Sequence, residues 1–174
     1  MILSLRQYMK QLILSLSFFL ILSCSPASAQ EKMNFIFFLA DDLGYMDVGF
    51  NNPKSFYETP SIDSLAGDGM VFTDFYAASQ VCSPTRASIL SGKYPARTDT
   101  TNFFSGRRSG KFDAAEFETQ MALDEVTLAE TLKENGYKTF FAGKWHLGDQ
   151  GHLPTDQGFD INKGGGSNGL PRSY

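Results

Sequence analysis

Residues 34–40, Asn34-Phe35-Ile36-Phe37-Phe38-Leu39-Ala40, read as one apolar run that ends on Asp41-Asp42. A strand that is apolar on both sides is buried on both faces, which is the habit of parallel sheets, and parallel neighbours need long crossover connections between them. The chain offers such connections. A short helix is expected over 60–67, begun near Thr59-Pro60, followed by a second strand over Met70–Tyr76. A helix over 84–91 comes next, with Pro84 in its first turn and Gly92 as its stop. Thr127-Leu128-Ala129-Glu130 has the capping-box pattern, Leu128 and Leu132 share a face of the helix it starts, and Gly136 closes that helix before a strand over Tyr137–Ala142. Strands alternating with helices predict an α/β fold, a three-layer sandwich around a largely parallel sheet. Ligands in such sheets gather beyond the carboxyl ends of the strands, where Asp41-Asp42 and Gly143-Lys144-Trp145-His146 both fall.

The two ends of the chain read differently. Arg6 and Lys10, an apolar core from Leu12 to Leu22 and Ala27-Ser28-Ala29 make residues 1–29 a signal peptide, too short for a span of about 20 apolar residues. Cleavage after Ala29 fits the small-x-small rule; Ile21-Leu22-Ser23-Cys24 offers a lipobox instead, and a membrane partner follows only from lipidation at Cys24. Either way the chain is expected to be exported, to the periplasm or outside the cell. Without Arg6 and Lys10, 13 of the 15 basic residues face 19 acidic ones, a net charge of −6, which argues against nucleic acid as a partner. Residues 30–174 suffice for one core. The closing stretch from Gly164 to Tyr174 reads as turn-rich and flexible, ending without completing an element. Asp99–Asp124, with Gly106-Arg107-Arg108-Ser109-Gly110 inside it, reads as a surface loop.

Chemistry concentrates at Cys82-Ser83-Pro84-Thr85-Arg86. Cys82 would stand at the positive end of the helix that follows, where unpaired N–H groups favour an anion. A small buried hydrophobe or half of a disulfide is the plainer reading of a cysteine. Parity speaks against the disulfide, because the other cysteine, Cys24, lies in the segment to be removed or lipidated. Arg86, four residues on, can reach back over the same helical face, or it is a helix-surface arginine. Asp41 and Asp42 repel each other unless positive charge lies beside them, which a hard divalent cation with oxygen ligands supplies; a solvated turn is the alternative. Lys144 and His146, two apart on a segment expected to be extended, would point to one side, with Trp145 turned inward. His152 is read as a loop residue.

Cys-x-Pro-x-Arg closing on Leu90-Ser91-Gly92, with Asp41-Asp42 before it and Gly143-Lys144-Trp145-His146-Leu147-Gly148 after it, resembles the signature of the type I, formylglycine-dependent sulfatases of the alkaline phosphatase superfamily. Pro154-Thr155 and Gly158-Phe159-Asp160 resemble the stretch that follows in that family. The resemblance covers essentially everything after the signal segment. It implies an alkaline phosphatase-like fold, of which residues 30–174 would be the N-terminal part, incomplete at its C-terminus. It further implies hydrolysis of sulfate esters to alcohol and sulfate. Cys82 would be oxidised by a maturation enzyme to formylglycine, whose hydrate attacks sulfur with one oxygen and expels sulfate with the help of the other. Asp41, Asp42 and the modified Cys82 would hold Ca²⁺, with Mg²⁺ as the alternative. Arg86 would stabilise the hydrated nucleophile, Lys144 would bind a sulfate oxygen, and His146 would hydrogen-bond the diol or sulfate and move a proton. The family's further metal and sulfate ligands would lie beyond Tyr174.

Two other readings compete. A phosphatase or phosphodiesterase of the same superfamily would share the metal ligands but use serine or threonine directly. A non-catalytic exported fragment would bind sulfated glycans without cleaving them. A sulfate ester, and among these a sulfated glycan, is the expected substrate.

Overall fold

The computed structural model describes residues 7–10, 12, 32–104, 110–112 and 115–170. Most of the expected signal segment, with Cys24, and the Arg107-Arg108 pair lie outside them. The chain divides into two units, Met1–Met70 and Val71–Tyr174.

In the first unit, α1 (Pro60–Asp68) begins one residue after Thr59, with Pro60 in its first turn. Thr59 makes no side-chain cap; its Oγ1 accepts the Gly49 N–H at 2.8 Å and donates to Asp63 Oδ1 at 3.0 Å, while Asp63 Oδ1 also accepts the Phe50 N–H at 2.9 Å. The start of α1 thereby anchors the turn around the buried Val48.

Two expected strands do not form. Residues 34–40 are irregular and exposed, Phe38 by 86%, and 70–76 are likewise irregular, with Phe75 83% exposed. Apolar composition states that a stretch can be buried on both faces, but a parallel strand is stabilised only when neighbours take up its N–H and C=O groups. Among the described residues the one sheet is a two-stranded ladder elsewhere.

That ladder lies in the second unit and is parallel: β1 (Phe140–Ala142) pairs with β2 (Ile161–Lys163) in the register Phe140↔Ile161, Phe141↔Asn162, Ala142↔Lys163. The 143–160 crossover between them begins with the Gly143–Gly148 block, so that block leaves the carboxyl end of a strand as expected. Residues Tyr137 to Thr139 stay outside β1. Thr139 instead exchanges bonds with Asp160, its N–H going to Oδ2 at 3.0 Å and its Oγ1 accepting the Asp160 N–H at 2.9 Å.

Both longer helices of this unit follow their sequence signals. α2 (Cys82–Ser91) stops where Gly92 enters the left-handed region, φ 68°, its N–H bonding Ser88 O at 2.9 Å. It starts two residues ahead of Pro84, so the proline occupies the third position of the first turn, where no intrahelical N–H is needed. α3 (Leu128–Glu134) has the expected capping box: Thr127 Oγ1 accepts the Glu130 N–H at 3.1 Å and Glu130 Oε2 the Thr127 N–H at 2.7 Å. Its end is a Schellman turn, with Gly136 at φ 77°, Gly136 N–H on Lys133 O at 2.9 Å and Tyr137 N–H on Leu132 O at 3.0 Å. Ala129 is its buried residue, while Leu128 is exposed.

The core joins α2 to the crossover. Ala87, Phe104, Met121, Trp145 and Leu147 are buried together, with Leu90, Phe141 and Phe159 packed on them. Phe141, Trp145 and Phe159 meet edge to face, with ring centroids 5.2–6.2 Å apart. The 164–169 stretch is not loose: a Cβ on Gly165 would lie 3.0 Å or less from Asn162, Pro154 and Phe141 atoms, so the backbone is packed against them.

Thr127 also donates to Gln157 O at 2.8 Å, tying the start of α3 to the crossover. Thr127→Ala should therefore cost about 1–2 kcal/mol, while Thr127→Ser keeps most of it, as read from urea unfolding midpoints. The Asp160 carboxyl is held down at about 2 against an ordinary 3.8, first by the Thr139 N–H and then by the Lys133 ammonium at 2.9 Å. A lowered folded-state value stabilises above the unfolded value and loses that contribution on acidification. Between about pH 4 and pH 2 the chain should therefore lose stability that Asp160→Asn does not lose, measurable as a difference in the slope of Tm against pH.

Candidate active site

The first turn of α2 and the Gly143–Gly148 block meet side by side. Cys82 is the first residue of α2, with Val81 as its N-cap, which leaves Cys82 among the unpaired N–H groups of the helix start. The Lys144 ammonium approaches its Sγ to 3.2 Å. Arg86, one turn along, donates from its guanidinium to the Lys144 carbonyl, so one basic side chain positions the backbone of the other.

His146 is buried, and its ring Nε2 lies 3.2 Å from the Phe104 carbonyl. Its φ is 56°, in the left-handed region, so the segment is not extended and the same-side alternation expected for Lys144 and His146 does not apply. Two segments hold this turn, the start of α2 and the 164–169 stretch. Ser83 Oγ donates to His146 O at 2.9 Å, the His146 N–H goes to Gly166 O at 3.0 Å, and Gly169 lies so close to the imidazole that a Cβ there would come within 2.5 Å of Cε1. The Phe103 ring lies 6.5 Å from the imidazole, centroid to centroid.

Trp145 turns inward as expected, and its Nε1 donates to His152 O at 2.8 Å. His152 has a structural place: its Nδ1 meets Met121 O at 2.8 Å, and Gly148, at φ 147°, leaves room for its Cβ.

Sequence reasoning left the two variable positions of Cys-x-Pro-x-Arg without a role, and both are engaged. Ser83 is fully buried and also accepts the Phe104 N–H at 3.0 Å. Thr85 Oγ1 donates to Ser79 O at 2.7 Å and accepts the Ser79 N–H at 3.1 Å, which ties down the approach to Cys82. A small hydroxyl residue in a helix's first turn was the available signal, but it does not say which distant segment it binds.

Asp41 and Asp42 belong to the first unit, both exposed, Asp42 with φ 58°, a conformation aspartate tolerates better than most residues. Two adjacent carboxylates fit the donor chemistry of a hard cation. They offer at most about four of the six to eight oxygens that Ca²⁺ takes. Among the described residues no group of three or more His, Cys, Asp or Glu is gathered into one site.

Comparison with known proteins gives this geometry a context. The Sulfatase family model matches residues 33–169. Arylsulfatase G of Canis lupus familiaris is 41% identical over 131 residues, 75% of this chain and 23% of that protein. Steryl-sulfatase of Homo sapiens is 40% identical over 132 residues, 76% of this chain and 22% of that protein. The crystal structure of Ps i-CgsB in complex with k-i-k-neocarrahexaose superposes with a TM-score of 0.60 at 38% identity, over 77% of this chain and 29% of that one. The likeness carries the expected α/β, alkaline phosphatase-like class. The chain spans about a quarter of the length of the curated relatives it matches.

Removing the Arg86 guanidinium leaves a partly buried carbonyl at Lys144 without that donor. Arg86→Ala should destabilise the second unit by about 1–3 kcal/mol, and Arg86→Lys should recover little of it because one ammonium lacks the planar fork; urea unfolding of the three chains checks both.

Proposed function

This chain belongs to the sulfatase family, and from that premise we propose that it carries the nucleophile side of a site that hydrolyses sulfate esters to an alcohol and sulfate. The observation that carries the reading is the Lys144 ammonium 3.2 Å from Cys82 Sγ at the start of α2. An exported chain with a surplus of acidic residues sets an ammonium against one thiol. A sulfate ester is the anion such a place suits.

In this reading a maturation enzyme oxidises Cys82 to formylglycine, whose hydrate supplies both the attacking oxygen and the route by which sulfate leaves. The site residues then divide the work. Lys144 holds a sulfate oxygen as a point charge beside the attacking position. Arg86 stabilises the hydrated nucleophile and also keeps the Lys144 backbone in place through its carbonyl. His146, its ring lodged against Phe104 O, hydrogen-bonds the diol or the sulfate and carries a proton between them. Asp41 and Asp42 would hold Ca²⁺, with Mg²⁺ as the alternative. That cation would lower the pKa of a bound hydroxyl and screen sulfate charge.

A sulfated glycan is the proposed substrate class, supported by the neighbour solved with k-i-k-neocarrahexaose. Residues 1–29 serve as the signal peptide, so the chain works in the periplasm or outside the cell, attached to a membrane where Cys24 is lipidated.

Intact and peptide mass spectrometry of the exported chain tests the reading. The Cys82 peptide should be lighter by about 18 Da, the change from cysteine to formylglycine, and Cys82→Ala should abolish that mass change without loss of folding. An unmodified thiol in a host that modifies a control sulfatase would overturn the catalytic reading and favour a glycan-binding chain.

A further inference from the structure

Ser83 stands next to the nucleophile position, yet its hydroxyl does nothing for the helix it belongs to. No side chain caps the start of α2. A hydroxyl has one proton to donate and two lone pairs to accept with, and both bonds of Ser83 leave the helix. The proton goes to His146 O at 2.9 Å, 63 residues away, and a lone pair takes the Phe104 N–H at 3.0 Å. Phe104 in turn offers its own carbonyl to His146 Nε2 at 3.2 Å. One buried serine thus holds the backbone of His146 directly and its ring through Phe104.

We propose that Ser83 is a positioning residue for His146, and that the Ser83–Phe104–His146 arrangement fixes the proton of the neutral imidazole on Nε2. A carbonyl oxygen only accepts, so the nitrogen facing Phe104 O is the protonated one and Nδ1 is left with the lone pair. The left-handed turn at His146 is an uncommon conformation for a residue with a Cβ, and these bonds help to hold it. The serine also links geometry along the chain: the turn of α2 that places Cys82 places His146 as well. This inference rests on the reading that His146 handles a proton in the reaction.

The chain's other histidine supplies an internal reference. His152 Nδ1 faces Met121 O at 2.8 Å, so by the same argument its neutral ring is protonated on Nδ1, the opposite tautomer. Nitrogen NMR of the ¹⁵N-histidine-labelled full chain, above the titration of both rings, should resolve one ring of each kind. Ser83→Ala should move His146 toward the mixed tautomers of a free imidazole and raise hydrogen exchange at the Phe104 amide about tenfold or more, with His152 unchanged.

Two results would overturn the proposal: a His146 ring protonated on Nδ1 in the unsubstituted chain, or a Ser83→Ala chain that unfolds at lower temperature with its His146 tautomer and Phe104 protection intact. Should Ser83→Ala fail to fold, Ser83→Cys keeps a donor at the position, slightly larger, and weakens both bonds. The same shift at His146, smaller in size, is then expected, and an unshifted ring rejects the proposal. None of these readouts depends on modification of Cys82 or on sulfate release, so failure of the sulfatase reading would show separately.

Discussion

The Gly143–Gly148 block can lie against the first turn of α2 only because the backbone groups it turns inward are answered there. A buried carbonyl or N–H stripped of water and given no partner costs about 1–3 kcal/mol, and this seam buries several. Arg86 takes the Lys144 carbonyl, Ser83 the His146 carbonyl, and Gly166 the His146 N–H. Trp145 and Leu147, between and beside these groups, enter the core with Ala87 of α2. Apolar burial drives the two segments together, but the polar partners decide the register at which they meet. That register brings the Lys144 ammonium to 3.2 Å from Cys82 Sγ.

Backbone conformation is the second constraint. A left-handed turn at a histidine is uncommon, and it is sustained by neighbours that leave no room for another arrangement. Gly169 shows the tightness of the fit: any side chain there would strike the imidazole. Gly169 is therefore a cover fitted to the ring, and its lack of a side chain is a packing requirement. The same logic holds at Gly158, φ 94°, where a Cβ would lie 2.5 Å from Glu130 Cγ at the start of α3.

Local signals in the sequence were legible where the interaction itself is local. The capping box at Thr127, the Schellman glycine at 136 and the left-handed stop at Gly92 each involve groups within six residues, and each is found. The inward turn of Trp145 was expected from an extended alternation that the segment does not have; its apolar bulk takes it into the core all the same. Residues 34–40 and 70–76 were misread because their apolar runs specify a tolerance for burial, while strand formation depends on partners distant in sequence. The extended reading of 144–146 failed for a related reason: the φ of His146 is set by Ser83 and Gly166, which no pattern within the block announces. Ser83 itself occupies a position the Cys-x-Pro-x-Arg pattern leaves blank, and its function becomes visible only with Phe104 and His146 beside it.

The charges at the seam are not equivalent. Arg86 and Lys144 are both cations near Cys82, but the planar, multidentate guanidinium is engaged with a carbonyl while the ammonium meets the sulfur. Exchanging their jobs would work poorly in both directions. An ammonium at position 86 has no fork to orient a peptide group, and a guanidinium at position 144 is too broad and too rigidly directed to serve as a compact charge beside a thiol. The division leaves one compact charge beside the thiol. Field strength at one atom falls off with distance, so a single ammonium 3.2 Å from Cys82 Sγ, on a backbone tied down by Arg86, acts on that sulfur more strongly than several mobile lysines spread over the surface would.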